Sequence, residues 1–269
     1  MIASINNETK KVKLVSVYRD TMLKQNGEHY DKANAAYSVG GPETAVNMLN
    51  ENLDLNIQDY VSVNFLALAD VIDMVDGITV KLTDEEVVHM NNYCVETSKV
   101  TGKKYKKIEP AVAGTYKLNG VQAVSYARIR YTAGGDYKRT ERQRLVLKKT
   151  ADKLKQQDLA TLNKIIDKVM PEVSTSFTTK EILSLATGAF DYELGETTGF
   201  PFDLETPEQI PGYSGSYVIP KGLVIKLHQF LYPNKDYTPT ATVTDISNTL
   251  NDMTKVYPNT TESGTSQNE

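Results

Sequence analysis

The sequence predicts an α/β fold, a single domain with a central mixed β-sheet flanked by helices on both faces. Two observations carry this expectation. Short β-rich runs alternate with runs of helical periodicity along most of the chain. A length of 269 residues, 40% of them hydrophobic, gives enough apolar material for one large core. No internal repeat or clear linker interrupts residues 1–232, which are read as the main domain. Residues 233–259 form a Thr-, Asn- and Ser-rich extension, with a weak amphipathic run near Ile246–Met253 that predicts one more helix. Residues 260–269 read as a disordered tail.

Met1–Ile5 and Val12–Tyr18 are apolar or β-rich around a polar turn, and predict a hairpin of two well-buried strands. The second strand ends in Arg19-Asp20-Thr21, and a charged pair at a strand end is where sheets present site residues, although on its own a local ion pair is the better explanation. Gly40-Gly41-Pro42 breaks the small-residue run Lys32–Tyr37, and Pro42 suits the first turn of a helix over Glu43–Asn52. A short strand is expected at Tyr60–Asn64 and a helix over Phe65–Val75, with Leu68, Ile72 and Val75 in register for burial. Asp76-Gly77 turns into a strand over Ile78–Leu82. Thr83 and Glu86 make a capping box for a helix through about Cys94. Lys99–Lys107 is basic, interleaved with Tyr105 and aperiodic, so it reads as a solvated loop that has the charge to meet an acidic polymer. Leu118-Asn119-Gly120 leads into a short helix to about Ala123. Helices follow at Thr161–Val169 and Lys180–Phe190, the latter capped by Thr178 and Glu181. Gly199–Leu204 and Gly215–Ile219 read as strands, and Gly222–Leu231 as a helix.

Composition excludes several functions. The net charge of −4 argues against general nucleic-acid binding, because the basic charge is local. Cys94 is the only cysteine, so no intramolecular disulfide forms, and it reads as a small packing residue. His29, His89 and His228 show no metal-ligand spacing. Zincin, hydrolase-elbow and Walker motifs are absent. No apolar run reaches membrane-spanning length, and no signal peptide is visible.

The chemistry concentrates in residues 126–147, which hold five arginines and Gln143. Tyr126–Arg130 alternates as a strand does, which places Arg128 and Arg130 on one strand face. Gly134-Gly135 breaks the strand, and Asp136 is positioned to cap a helix from Tyr137. On that helix Arg139, Arg142 and Gln143 fall at i, i+3 and i+4, beside an apolar stripe of Leu147, Ala151 and Leu154. Guanidinium groups gathered this way repel one another unless an anion lies between them, and their planar forks match phosphate oxygens. The helix alone is better explained by surface salt bridges, with Glu141 as a partner. The strand pair shifts the balance to a phosphate or pyrophosphate clamp.

The order of these pieces resembles the LytR-CpsA-Psr family. The matching motifs are Leu14–Thr21, Lys32-Ala-Asn-Ala-Ala-Tyr37 with Gly40-Gly41-Pro42, Asp76–Val80, Leu118–Ala123, Tyr126–Arg130 and Gly135–Arg144. They run in the family's order from about Met1 to Lys155, with Tyr18 where the family often has Pro. The resemblance implies an α-β-α sandwich and a phosphotransferase on the extracytoplasmic face of the cell membrane. Its reaction moves a glycopolymer, of wall teichoic acid or capsular polysaccharide type, from a polyprenyl-pyrophosphate carrier to peptidoglycan. Arg19, Arg128, Arg130 and Arg139 match the family's pyrophosphate-binding arginines, Gln143 its glutamine and Asp136 an adjacent acidic position. These arginines and Asp136 form the expected catalytic set, and Lys32 and Arg142 join the expected substrate-binding set. Asp20 and Asp136 are the nearest acids to serve as base, an orienting role being the simpler one.

The family's Mg2+ and its membrane-anchoring helix are implied too. The magnesium-binding aspartates and the helix correspond to sequence upstream of Met1, so the metal ligands are unknown and the chain reads as a truncated form. Such a form is expected to bind the donor but transfer poorly. The rival readings are a polyprenyl-pyrophosphate-binding module without catalysis and a transcriptional regulator or attenuator. No convincing helix-turn-helix supports the latter.

Overall fold

A computed structural model describes residues 1–188 and 190–258. The expected tail, residues 260–269, lies outside the described residues. In chain order the first elements are β1 (Ile2–Asn6), β2 (Lys11–Val17), β3 (Met22–Lys24), β4 (Tyr30–Lys32) and α1 (Ala33–Leu53). Next come β5 (Val61–Val63), α2 (Phe65–Met74), β6 (Ile78–Leu82), α3 (Asp84–Thr101) and β7 (Gly114–Leu118). Then follow α4 (Gly120–Arg128), α5 (Gly135–Leu154), α6 (Leu159–Val169), a 3-10 turn, β8 (Val173–Thr175) and α7 (Thr179–Gly188). The last are β9 (Glu193–Phe200), β10 (Leu204–Glu205), β11 (Ile219–Pro220), α8 (Ile225–Leu231) and α9 (Ala241–Thr254). The α/β class holds. Among the described residues the strands form one three-stranded sheet, β1-β2-β9, and four two-stranded ladders. Among the same residues no helix is long and apolar enough to cross a membrane.

The chain divides into two compact units. One comprises Met1–Ser4, Val15–Tyr60 and the chain from Thr198; the other comprises Ile5–Leu14 and Val61–Thr197. In the first unit, Val15, Leu53, Phe200 and Leu227 pack in one apolar cluster, and Met22, Ile219, Ile246 and Leu250 in another. α9 therefore carries core residues rather than lying on the surface. α1 runs through the expected break. Gly41 takes φ 71°, ψ −161°, which kinks the helix, so Pro42 begins a fresh turn beyond the kink and meets no ladder bond it would disrupt. The expected hairpin forms, but β1 buries only Ile2 of its five residues, because it lies at the edge of its sheet.

In the second unit β6 pairs antiparallel with β7 from Ile78↔Leu118 to Leu82↔Gly114. Ile78, Val80 and Leu82 alternate inward, as the pleat requires. The Thr83–Glu86 capping box forms, and α3 continues past Cys94 to Thr101, where Gly102 at φ 68° ends it. Cys94 is fully buried among core residues, and burial pushes its thiol up.

α4 corrects the strand expected at Tyr126–Arg130. Asn119 and Gln122 form a second capping box, with both bonds at 2.9 Å, and the helix runs on to Arg128. Gly120 through Ala127 are all buried, Gln122 and Ser125 among them, so the helix shows no solvent-facing stripe over this span. Gly120 is required at its start. A Cβ there would lie 2.1 Å from the Ala69 carbonyl oxygen of α2.

Candidate functional site

Two groups of charged side chains, one in each unit, contain the residues expected from sequence. In the second unit Arg128 ends α4, where a cation favours the helix dipole. Its guanidinium donates to Thr97 Oγ1 at 2.9 Å and to Glu96 Oε2 at 2.8 Å. The same group lies 4.7 Å from the centre of the Phe65 ring and 5.5 Å from that of Tyr93. Two ring contacts and two hydrogen bonds fix its orientation. Arg130 lies in the loop beyond the helix, so the two arginines do not share a strand face.

The loop turns at Gly134, whose φ of 88° caps α5, and Asp136 occupies the helix's first turn. Asp136 is thus not the cap expected. Its carboxylate instead bridges two guanidinium groups: Oδ1 accepts from Arg130 Nη2 at 3.1 Å and lies 2.7 Å from Arg139 Nη2. Oδ2 is buried and accepts no hydrogen bond from a described residue. Two cations around one carboxylate leave a net positive charge, and an acid in the first turn is favoured by the helix dipole. Gln143, one turn on from Arg139, is half-buried, and its amide has no partner among the described residues.

Arg142 turns away from Arg139 and Gln143. Its side chain is buried, with Nε 2.9 Å from Glu86 Oε1. Nη1 donates to the Ile129 carbonyl at 3.2 Å and Nη2 to Thr132 Oγ1 at 2.7 Å. These last two bonds bracket Arg130 in the chain, so Arg142 holds the loop that carries it. Tyr126 packs below the Arg142 guanidinium; burial, then the Glu86 charge, pushes its hydroxyl up to about 12.

In the first unit Arg19 and Asp20 follow β2, and Lys32 precedes α1. Asp20 Oδ1 lies 3.5 Å from Arg19 Nη1 and 3.3 Å from Lys32 Nζ. The backbone holds this arrangement through Val218 N–H to the Asp20 carbonyl at 2.8 Å and Asn34 N–H to the Arg19 carbonyl at 3.3 Å. Lys32 Nζ also lies 4.9 Å from the centre of the Tyr217 ring, and Tyr217 donates to Asp31 at 3.1 Å. Sequence reasoning missed Phe65, Tyr93, Glu96, Thr97 and Tyr217, and none of them carries a local signal that would have marked it.

Each group has the same plan, a carboxylate between two cations, and each can accept an anion with oxygen atoms in place of water. Magnesium is a poorer fit. Among the described residues no three His, Cys, Asp or Glu side chains gather as metal ligands. Asp20 and Asp136 each lie against two cations already.

The fold is α/β, and each unit carries two cationic side chains gathered on one carboxylate. The chain matches the LytR_cpsA_psr family over residues 1–194 and belongs to that family. It is 33% identical over 185 residues to biofilm regulatory protein A of Streptococcus mutans, covering 65% of this chain and 43% of that protein. It is 27% identical over 262 residues to the polyisoprenyl-teichoic acid–peptidoglycan teichoic acid transferase TagV of Bacillus subtilis, covering 89% of this chain and 60% of TagV. The chain thus spans roughly half the length of these relatives. Its fold is similar to that of TagT bound to LI-WTA, with a TM-score of 0.62, 21% identity, and coverage of 94% of this chain and 83% of that one.

Proposed function

We propose that this chain binds the donor in a phosphotransfer reaction that moves a glycopolymer from a polyprenyl-pyrophosphate carrier to peptidoglycan. The observation that carries the reading is the pair of guanidinium groups, Arg130 and Arg139, on one oxygen of Asp136. The teichoic acid transferase activity for which TagV is named and the LI-WTA bound in TagT support the substrate class.

In this reading Arg130 and Arg139 neutralise the pyrophosphate, Arg128 adds a third fixed guanidinium and Gln143 donates its free amide. Arg142 positions the Arg130 loop. Arg19 and Lys32, in the first unit, offer an anion the same carboxylate-bridged chemistry at Asp20. A peptidoglycan hydroxyl attacks the phosphorus that carries the polymer and releases its proton to water, a new P–O bond forms, and the P–O bond to polyprenyl phosphate breaks. Charge builds on that leaving phosphate, and fixed guanidinium donors stabilise it more than they stabilise the ground state. Asp136 orients its two arginines. No step is assigned to magnesium, because the described residues do not form a site for it. In this reading the protein works on the outer face of the cell membrane, where a lipid-linked donor and peptidoglycan meet.

Transfer of a fluorescent donor to peptidoglycan tests the proposal. Polymer transfer abolished by Arg130→Ala supports it. Donor binding with no transfer by any form of the protein reduces it to a carrier-binding module, and absence of donor binding overturns it.

A further inference from the structure

The basic segment at residues 99–107 has a structural context that a solvated loop does not need. Beyond the end of α3 it has no regular structure, yet it is pinned at several points. Ser98 Oγ donates to the Lys103 carbonyl at 2.6 Å, and Gln122 Nε2 to the Lys106 carbonyl at 2.8 Å. Asn91 exchanges two bonds with the backbone of Ile108, at 3.0 and 3.1 Å. Lys103 is itself an anchor, paired with buried Asp70 and, at 2.8 Å, with Asp73 of α2. Tyr105 and Ile108 pack inward against the core. What remains outside is Lys99, Lys104, Lys106 and Lys107, all exposed. None of these four ammonium groups has an acidic partner among the described residues.

We propose that these lysines form a docking stripe for a polyanion with repeated phosphodiesters, the polymer portion of the donor. The identification of that polymer rests on the function proposed above. Four uncompensated cations in nine residues stand out on a chain of net charge −4. Like charges held side by side on a pinned backbone are relieved by an anionic partner. Pinning also lowers the entropic cost of ordering the loop on binding. Lysine is a flexible point charge that meets phosphates without a fixed geometry, which suits a polymer of variable conformation. An anionic membrane fits less well. Membrane-surface segments insert aromatic and apolar side chains, whereas Tyr105 and Ile108 are turned to the core and Val100 is the exposed large apolar side chain within residues 99–107.

The test uses the full chain and a soluble glycerol-phosphate oligomer that carries neither lipid nor pyrophosphate. Four phosphate contacts to a single-stranded polyanion give a slope of about −2.8 in log K against log salt, a loss of about 50-fold between about 50 and 200 mM. The triple variant Lys104→Ala, Lys106→Ala, Lys107→Ala should show a slope near about −0.7, a loss of about threefold. The single reversal Lys106→Glu should weaken oligomer binding in the same direction, and it serves if the triple variant folds poorly. Affinity for a soluble prenyl pyrophosphate should be the same in all three proteins. A triple variant with the parent salt slope overturns the proposal, as does equal competition by neutral dextran. Lysine-dependent binding to phosphatidylglycerol vesicles without oligomer binding also overturns it, in favour of a membrane. Failure of the pyrophosphate reading is seen separately, as prenyl pyrophosphate affinity that Arg130→Ala leaves unchanged.

Discussion

Arg130 and Arg144 lie in the same arginine-rich stretch, yet their surroundings differ. Arg130 reaches Asp136 beside Arg139, whereas Arg144 turns along its own helix, with Nη1 3.4 Å from Thr140 Oγ1. A charge-assisted hydrogen bond to phosphate contributes on the order of 1.5–3 kcal/mol, so Arg130→Ala should weaken prenyl pyrophosphate binding about ten- to a hundredfold. Arg144→Ala should change it little; calorimetry compares the two, and equal losses would count against the assignment. Arg142 acts differently. It is buried against Glu86, and truncation of one partner of such a pair costs about 3–5 kcal/mol. Glu86→Ala should therefore lower stability strongly, as read by urea unfolding. Tyr126 adds a pH dependence to the same region. Its hydroxyl is held up to about 12 by burial, so above about pH 10 the unfolded chain releases this proton and the folded one keeps it. Stability is then lost as pH rises from about 10 to about 12, by roughly 2–3 kcal/mol. Tyr126→Phe should remove that part of the alkaline loss; an unchanged pH profile would show that the hydroxyl is not so held.

α4 shows what an element's packing demands of its sequence. Gly120→Ala drives a methyl group to 2.1 Å from a backbone carbonyl, and α2 cannot yield as a side chain would. The substitution should destabilise the protein by about 1–3 kcal/mol or more in thermal or urea unfolding, and a neutral result would mean that α4 and α2 are less closely packed. The same helix shows where the sequence was legible. Thr83 with Glu86 and Thr178 with Glu181 marked two helix starts, because a capping box is a local chemical signal. Asn119 with Gln122 is the same signal, and α4 follows it, but the alternation from Tyr126 to Arg130 imitated a strand. A helix buried on every face lacks the exposed polar stripe that would have contradicted that alternation. β7 was missed because its five residues, Gly114–Leu118, bury only Leu118, so no apolar run marked them. The arginines themselves were legible as a concentrated basic stretch. Their partners were not, since Glu96, Phe65 and Tyr217 are brought up by tertiary packing from elsewhere in the chain.

Charge over the whole molecule bears on what the donor requires. The chain is acidic overall, and its expected pyrophosphate ligands cluster around two carboxylates, Asp20 and Asp136. A divalent cation at either carboxylate would have to displace or repel the two cations already there. Magnesium also demands near-octahedral oxygen ligands and gives up water reluctantly, and the described residues offer no cluster of three such groups. A pyrophosphate diester, in contrast, carries its charge on both phosphorus centres and can meet guanidinium groups directly. Affinity of this chain for a soluble prenyl pyrophosphate should therefore change by less than about twofold between chelator and excess magnesium, since a new charge-assisted contact would give about tenfold or more. Raising salt should weaken binding, and Arg139→Ala should weaken it in both conditions alike. Calorimetric titrations with and without magnesium decide the matter. A tenfold gain with the metal, lost on Asp136→Asn, would show that Asp136 recruits a cation rather than orienting its two arginines.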